Sequence, residues 1–173
     1  MQAPAVRSSG HWEFVVLLLA ALGLAPGAAH VLELPVKMGY PPELYARVTG
    51  SLYALFGSVG ALVQIAAVLA AIALTWRARH RGRAGRMLLS AICLIVSLLL
   101  WVATVAPVNA EWARVMGQEP SVIVASYAAL RSKWEYGHMA AFIAWFAGFS
   151  SLLWTVCVPE TDQGSRVDQA HAE

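Results

Sequence analysis

Four long apolar stretches, separated by short polar or glycine- and proline-rich breaks, dominate the pattern of this chain. Residues 12–32 are apolar except for Glu13 and His30, and Ser51 to Trp76 runs 26 residues without a charge. Residues 87–108 are rich in Leu, Ile and Val, and residues 134–158 carry Trp134, Tyr136 and Trp154 near their ends, where interfacial anchors belong. Each stretch is long enough, as a helix, to cross about 30 Å of hydrocarbon. The pattern predicts an all-α fold: a polytopic membrane protein built as a four-helix transmembrane bundle. A short tail (1–10, with Arg7), a four-span domain (11–159) and a charged tail (160–173) complete the organisation.

The breaks predict how the spans connect. Residues 33–50 contain Pro35, Gly39, Pro41 and Pro42, which end one helix and delay the next, with a helical lead-in at Glu43, Tyr45 and Arg47. Pro26 and Gly27 predict a kink in the first span. Residues 110–133 read as a polar connection, with a short interfacial helix over 121–130. Gly57, Ser58, Gly60 and Ala61 suit close helix contact in lipid, and Gln64 suits an interhelical hydrogen bond.

Composition strengthens this picture. Of 173 residues, 59% are hydrophobic and 13% charged, and the mean hydropathy is +0.61. A soluble domain of this size could not hide so much apolar surface. The lipid bilayer is therefore the expected partner, with a homo-oligomer left open. The net charge of +2 is small and its basic residues cluster in one loop, which argues against nucleic acid. That loop, RARHRGRAGR at 77–86, holds five arginines and by the positive-inside rule faces the cytoplasm. Counting spans from it puts both termini in the cytoplasm of a multi-pass cell-membrane protein. Cys93 and Cys157 form no CxxC pair and then lie toward the reducing side, as small buried hydrophobes rather than a disulfide. The first span has a rival reading as a secretory signal peptide, with its hydrophobic region at 14–24 and a cut near Ala29; the single basic residue before it and Glu13 weigh against that.

Span parity gathers the unusual residues at one membrane face: His30, Glu33 and Lys37; Asn109, Glu111 and Trp112; Arg131, Trp134, Glu135 and His138. If the helix continues past Pro35, the spacing of His30, Glu33 and Lys37 puts them on one face. Ionisable groups in a membrane helix cost roughly 2.5–3.5 kcal/mol at its centre, so each needs a partner or a purpose. His30-x-x-Glu33 and Glu135-x-x-His138 each place an imidazole and a carboxylate on one face. A diiron site would need Glu43 or Glu111 to reach in as well, so no metal ligands are assigned and the cofactor is left unknown. Taken singly, these residues read as hydrogen-bonded glue between helices. Taken together, they resemble a pocket for a small aromatic ligand, with histidine as general base and a carboxylate orienting it.

In order and spacing, His30-Val-Leu-Glu33-Leu-Pro35-Val-Lys37, Pro107-Val-Asn109 with Trp112, and Arg131-Ser-Lys-Trp134-Glu-Tyr-Gly-His138 resemble the DUF1772 family, the anthrone oxygenase-like membrane proteins. The resemblance implies a small four-span membrane protein, of which some fungal members take part in oxidising anthrones to anthraquinones without an obvious cofactor motif. Carried over, it makes His30, Glu33, Asn109, Trp134 and His138 the candidate residues; with Glu135 from the spacing above, His30, Glu33, Asn109, Glu135 and His138 are the expected catalytic set, and Trp112 and Trp134 line the ring pocket. Relatives often carry an arginine a turn after the last histidine, where this chain reads Met139-Ala140-Ala141; Arg131 or Lys37 would have to stand in as the contact to a substrate oxygen. Two rivals remain: a non-enzymatic scaffold or lipid-binding subunit, and a haem or metal protein ligated by His30 and His138. A transporter is disfavoured, because one off-centre polar cluster offers no continuous path.

Overall fold

The computed structural model describes residues 9–53, 55–80 and 82–158. The tails expected at 1–10 and 160–173 lie outside these residues, apart from Ser9 and Gly10 at the start of the first helix. Six α-helices, α1 (Ser9–Met38), α2 (Pro42–Leu52), α3 (Ala61–Arg77), α4 (Ala84–Thr104), α5 (Ala106–Val115) and α6 (Pro120–Cys157), with a π-helical turn at Phe56–Gly60 before α3, form the bundle. No strand occurs among the described residues. Four helical segments are long and apolar enough to cross a membrane: Gly10–Met38, Phe56–Arg77, Ala84–Val115 and Pro120–Cys157. Many of their leucines, isoleucines and valines point outward, Leu62, Leu69, Leu99 and Ile143 among them. So broad an apolar exterior is stable against lipid and unstable against water. The protein is a multi-pass membrane protein.

α6 is the central pillar, packing on α1 and α4 along its length and on α2 and α5 near its start. Small residues let these helices approach. Gly23 and Gly27, one turn apart on α1, face Trp145 and Phe142 of α6, and Gly148 of α6 sits against Leu94 and the Ser90 carbonyl of α4. A Cβ on Gly23 would overlap the Trp145 ring. Gly23→Val is therefore expected to cost about 1–3 kcal/mol by overpacking, read as a lower melting temperature in detergent. A variant that melts with the wild type would mean that α1 and α6 do not rely on this close approach.

Several expected boundaries are corrected. α1 does not end at residue 32; it continues through Pro26 and Pro35 to Met38. Proline in a membrane helix is tolerated where neighbours supply hydrogen bonds. Separately from the prolines, Trp145 Nε1 donates to the Ala20 carbonyl (2.9 Å) and Gln64 Nε2 to the Gly23 carbonyl (2.9 Å), tying α1 to α6 and α3. The second is the interhelical bond expected of Gln64. The second span begins at Phe56 rather than residue 51, because Tyr53 interrupts the helix after α2. The third continues past residue 108 as α5, and the interfacial helix expected over 121–130 is instead the first part of the 38-residue α6. Gly57 and Ser58 are exposed rather than packed, whereas Gly60 lies against Pro26. Trp134, expected as an interfacial anchor, is buried, while Tyr136 and Trp154 are exposed. Cys157 is exposed and Cys93 only half-buried, so neither is the fully buried small hydrophobe expected; both are free thiols.

The loop between α3 and α4 meets the two outer ends of the chain. Arg83 Nη2 pairs with Glu13 Oε1 at the start of α1 (3.3 Å), and Arg83 Nη1 donates to the Thr155 carbonyl near the end of α6 (3.3 Å). The arginine loop, the start of α1 and the end of α6 thus share one end of the bundle. The α1–α2 and α5–α6 connections occupy the other.

Candidate functional site

At that other end α1, α2 and α6 converge on Lys37, which is 2% exposed. Because α1 stays helical past Pro35, His30, Glu33 and Lys37 share a face, and Lys37 reaches three groups. Its Nζ lies 3.1 Å from Glu135 Oε1, 3.6 Å from Glu33 Oε2 and 3.4 Å from His30 Nδ1. It also sits 4.7 Å from the Tyr53 ring centre and 5.3 Å from that of Trp134. Glu135, fully buried, accepts a second hydrogen bond from the Tyr45 hydroxyl (3.1 Å), and its Oε2 has no partner. Glu33 accepts from the Tyr53 hydroxyl. Burial, and then the Glu135 carboxylate, push the Tyr45 phenol above its ordinary range; burial and the Glu33 hydrogen bond do the same to Tyr53. Both phenols stay neutral donors.

The carboxylate–imidazole pairs expected from the sequence do not form. Glu135 faces Lys37 and Tyr45 rather than His138, and Glu33 faces Tyr53 and Lys37 rather than His30. The physical reason is that a buried lysine is the costliest group at this end, and both carboxylates are drawn to it. His138 is instead held by its own helix, Nδ1 lying 3.0 Å from the Trp134 carbonyl. The two imidazoles stack, with ring centres 4.0 Å apart and planes at 30°. Tyr53 stacks on His30 at 4.6 Å, and Trp134 meets His30 edge-on at 4.9 Å.

The partners of each ring define its tautomer. A backbone carbonyl can only accept, so His138 Nδ1 carries the proton and Nε2 holds a free lone pair. An ammonium can only donate, so His30 Nδ1 accepts from Lys37 and its proton sits on Nε2. Two stacked rings therefore offer one base and one donor. Both border a cavity of about 470 Å³, within the range of small-molecule sites. Asn109, Trp112 and Trp134 border it as well, Asn109 Oδ1 accepting from Trp134 Nε1 (2.8 Å) and Trp112 stacking on Tyr127 at 4.1 Å.

Of the nine candidate residues, the structure brings His30, Asn109, Trp112, Trp134 and His138 to the cavity wall. Glu33, Lys37 and Glu135 lie behind that wall as one ion-pair network. Arg131 is also away from it, its Nη1 donating to the Met38 carbonyl (3.2 Å) and its guanidinium lying 4.3 Å from the Tyr45 ring centre. Neither Lys37 nor Arg131, both expected to contact a substrate, lines the cavity. The wall also includes Tyr53, Phe56, Gln64, Phe142 and Trp145. Tyr53 had a readable signal: Tyr45, Thr49 and Tyr53 fall four residues apart and form the buried stripe of α2 and its end.

The donors do not converge as a metal site would need. Glu43 is exposed, and Glu111 turns to Arg114 (3.1 Å) on the surface. No group of three or more His, Cys, Asp or Glu able to hold a metal occurs among the described residues. Two imidazoles stacked face to face leave no gap for an iron between them, as opposed axial ligation of a haem demands. No family model, curated protein or solved structure matches this chain.

Proposed function

We propose that this is an oxygenase-like enzyme of the DUF1772 type, acting on a small aromatic or quinol-like molecule in the cavity at the His30–His138 end. The observation that supports this most is the stacked imidazole pair, which offers a proton acceptor, His138 Nε2, beside a proton donor, His30 Nε2, on one aromatic-lined wall. For an anthrone, His138 removes a proton from the ring methylene, and the ketone oxygen, gaining charge, accepts from His30. The electron-rich ring then reacts with dioxygen: the methylene carbon loses both hydrogens, the O–O bond breaks, one oxygen stays as the new carbonyl and the other leaves as water. Lys37 holds His30 in the donor tautomer, and Trp112 and Trp134 hold the ring plane. The residues in this reading are assigned by chemistry as well as by family likeness.

In the same reading the arginine loop faces the cytoplasm of the cell membrane, both termini lie on that side, and the cavity end is extracytoplasmic. The test is oxygen uptake by purified protein supplied with an anthrone. One dioxygen consumed per anthrone, with anthraquinone formed, is the expected result; uptake no faster than the anthrone alone in detergent would overturn the enzyme reading. The scaffold reading draws its support from the ion-pair network, since Glu33, Lys37 and Glu135 are all spent on internal partners.

A further inference from the structure

The cavity reaches well beyond the imidazole pair. On α6 it extends from His138 to Trp145 and on α1 from His30 to Gly23, seven residues each, or about 10 Å along the bundle toward the arginine end. Its two ends differ in chemistry. The outer end keeps His30 Nε2 and His138 Nε2 for a ligand. In the deep limb Ser97 Oγ and Trp145 Nε1 give their hydrogens to the Ala141 (2.7 Å) and Ala20 carbonyls, and Gln64 Nε2 gives one of its two to Gly23, which leaves the Gln64 carboxamide as the one polar group with a hydrogen to spare among these three. What that limb offers a ligand is mainly hydrocarbon and ring faces, from Leu24, Pro26, Phe142 and Trp145.

The wall also has a side that faces lipid. Phe56, Gly57 and Gly60, in the π-helical turn, border the cavity. Gly57 is exposed, and a Cβ there would meet nothing within 4 Å. Around it Leu55, Val59 and Leu62 point outward, 56–70% exposed, as residues immersed in hydrocarbon do. Gly57 thus lies among outward apolar side chains at the start of the second apolar span, where a lateral opening toward lipid would sit. π-helical turns of this kind recur at functional sites.

We propose that the ligand is a phenol or quinol with an alkyl or prenyl tail, drawn sideways from the bilayer past Gly57, its ring at the imidazole pair and its tail in the limb ending at Trp145. This rests on the reading of the cavity as an aromatic-ligand site, and adds to it the tail and the route.

A benzoquinol whose alkyl chain ends in a photoreactive diazirine, incubated with the full chain in nanodiscs, tests the inference. After irradiation, label on Gly23, Leu24, Gly27, Phe142 or Trp145 is expected, competed away by excess unreactive tailed quinol but not by an alkane. Gly57→Trp, at a position where a Cβ meets nothing within 4 Å, is expected to lower that labelling roughly tenfold or more with the melting temperature retained. Label confined to outward residues such as Leu62 or Ile143, label in the limb that an alkane removes equally well, or labelling unaffected by Gly57→Trp would overturn the proposal. Occupancy is read without turnover. Saturable limb labelling without oxygen uptake would keep this inference and discard the oxygenation; oxygen uptake with an unlabelled limb would do the reverse.

Discussion

His138→Gln is expected to lower anthrone-dependent oxygen uptake by about 10²–10⁴-fold, the usual weight of a general base. Glutamine can keep a hydrogen bond to the Trp134 carbonyl and much of the ring's volume, but it cannot take up a proton. His30→Gln should behave differently. Its amide still donates a hydrogen bond, so a loss within about tenfold is expected, whereas His30→Ala removes the donor and should cost about 10²–10³-fold, as loss of an oxyanion donor does. The contrast between the two glutamine variants follows from the tautomers alone: His138 is held at Nδ1 by an acceptor and His30 at Nδ1 by a donor. Equal losses in both would mean that the roles are not divided this way. Full activity in His138→Gln would favour the scaffold.

Lys37→Met is expected to destabilise the protein by about 3–5 kcal/mol, because it leaves Glu135 buried without its cation. The Glu135 Oε2 atom already has no partner, so after the loss its carboxylate keeps only the Tyr45 hydroxyl among its present contacts. Adding Glu135→Gln should recover most of the loss. The amide oxygen can still accept from the Tyr45 hydroxyl, and the stranded charge is gone. Glu33→Gln should cost far less, since the Glu33 side chain is 43% exposed and water compensates it. Thermal or denaturant unfolding in detergent of the wild type, Lys37→Met, Glu135→Gln and the double variant, as a double-mutant cycle, measures the coupling. A Lys37→Met protein as stable as the wild type would show that the network at this end is not held together by its ion pairs.

Much was legible in the chain before any coordinates. The four spans, their alternation and the gathering of His30, Trp134 and His138 at the end away from the arginine loop follow from hydropathy and parity. Neither depends on detailed packing. Helix ends were less legible, since Pro35 and the polar run after residue 108 carry strong local signals for stopping that tertiary contacts override. The burial of Lys37 beyond Pro35 on α1, and of Trp112 and Val115 on α5, goes with the extension of both spans. The wiring of the polar cluster was least legible. Spacing along one helix puts Glu135 near His138, but only the approach of α1 to α6 shows that Lys37 outcompetes the imidazole for that carboxylate.

The sequence by itself determined the architecture: a multi-pass helical bundle with its arginine loop at one end and His30, Lys37, Glu135 and His138 at the other. That much is forced by the cost of exposing backbone and charge to hydrocarbon, a cost each segment bears on its own. The tertiary structure alone decided which polar groups neutralise one another and which are left facing a cavity. Those outcomes depend on competition among groups from α1, α2 and α6 for the same few ångströms, and no single helix carries the terms of that competition.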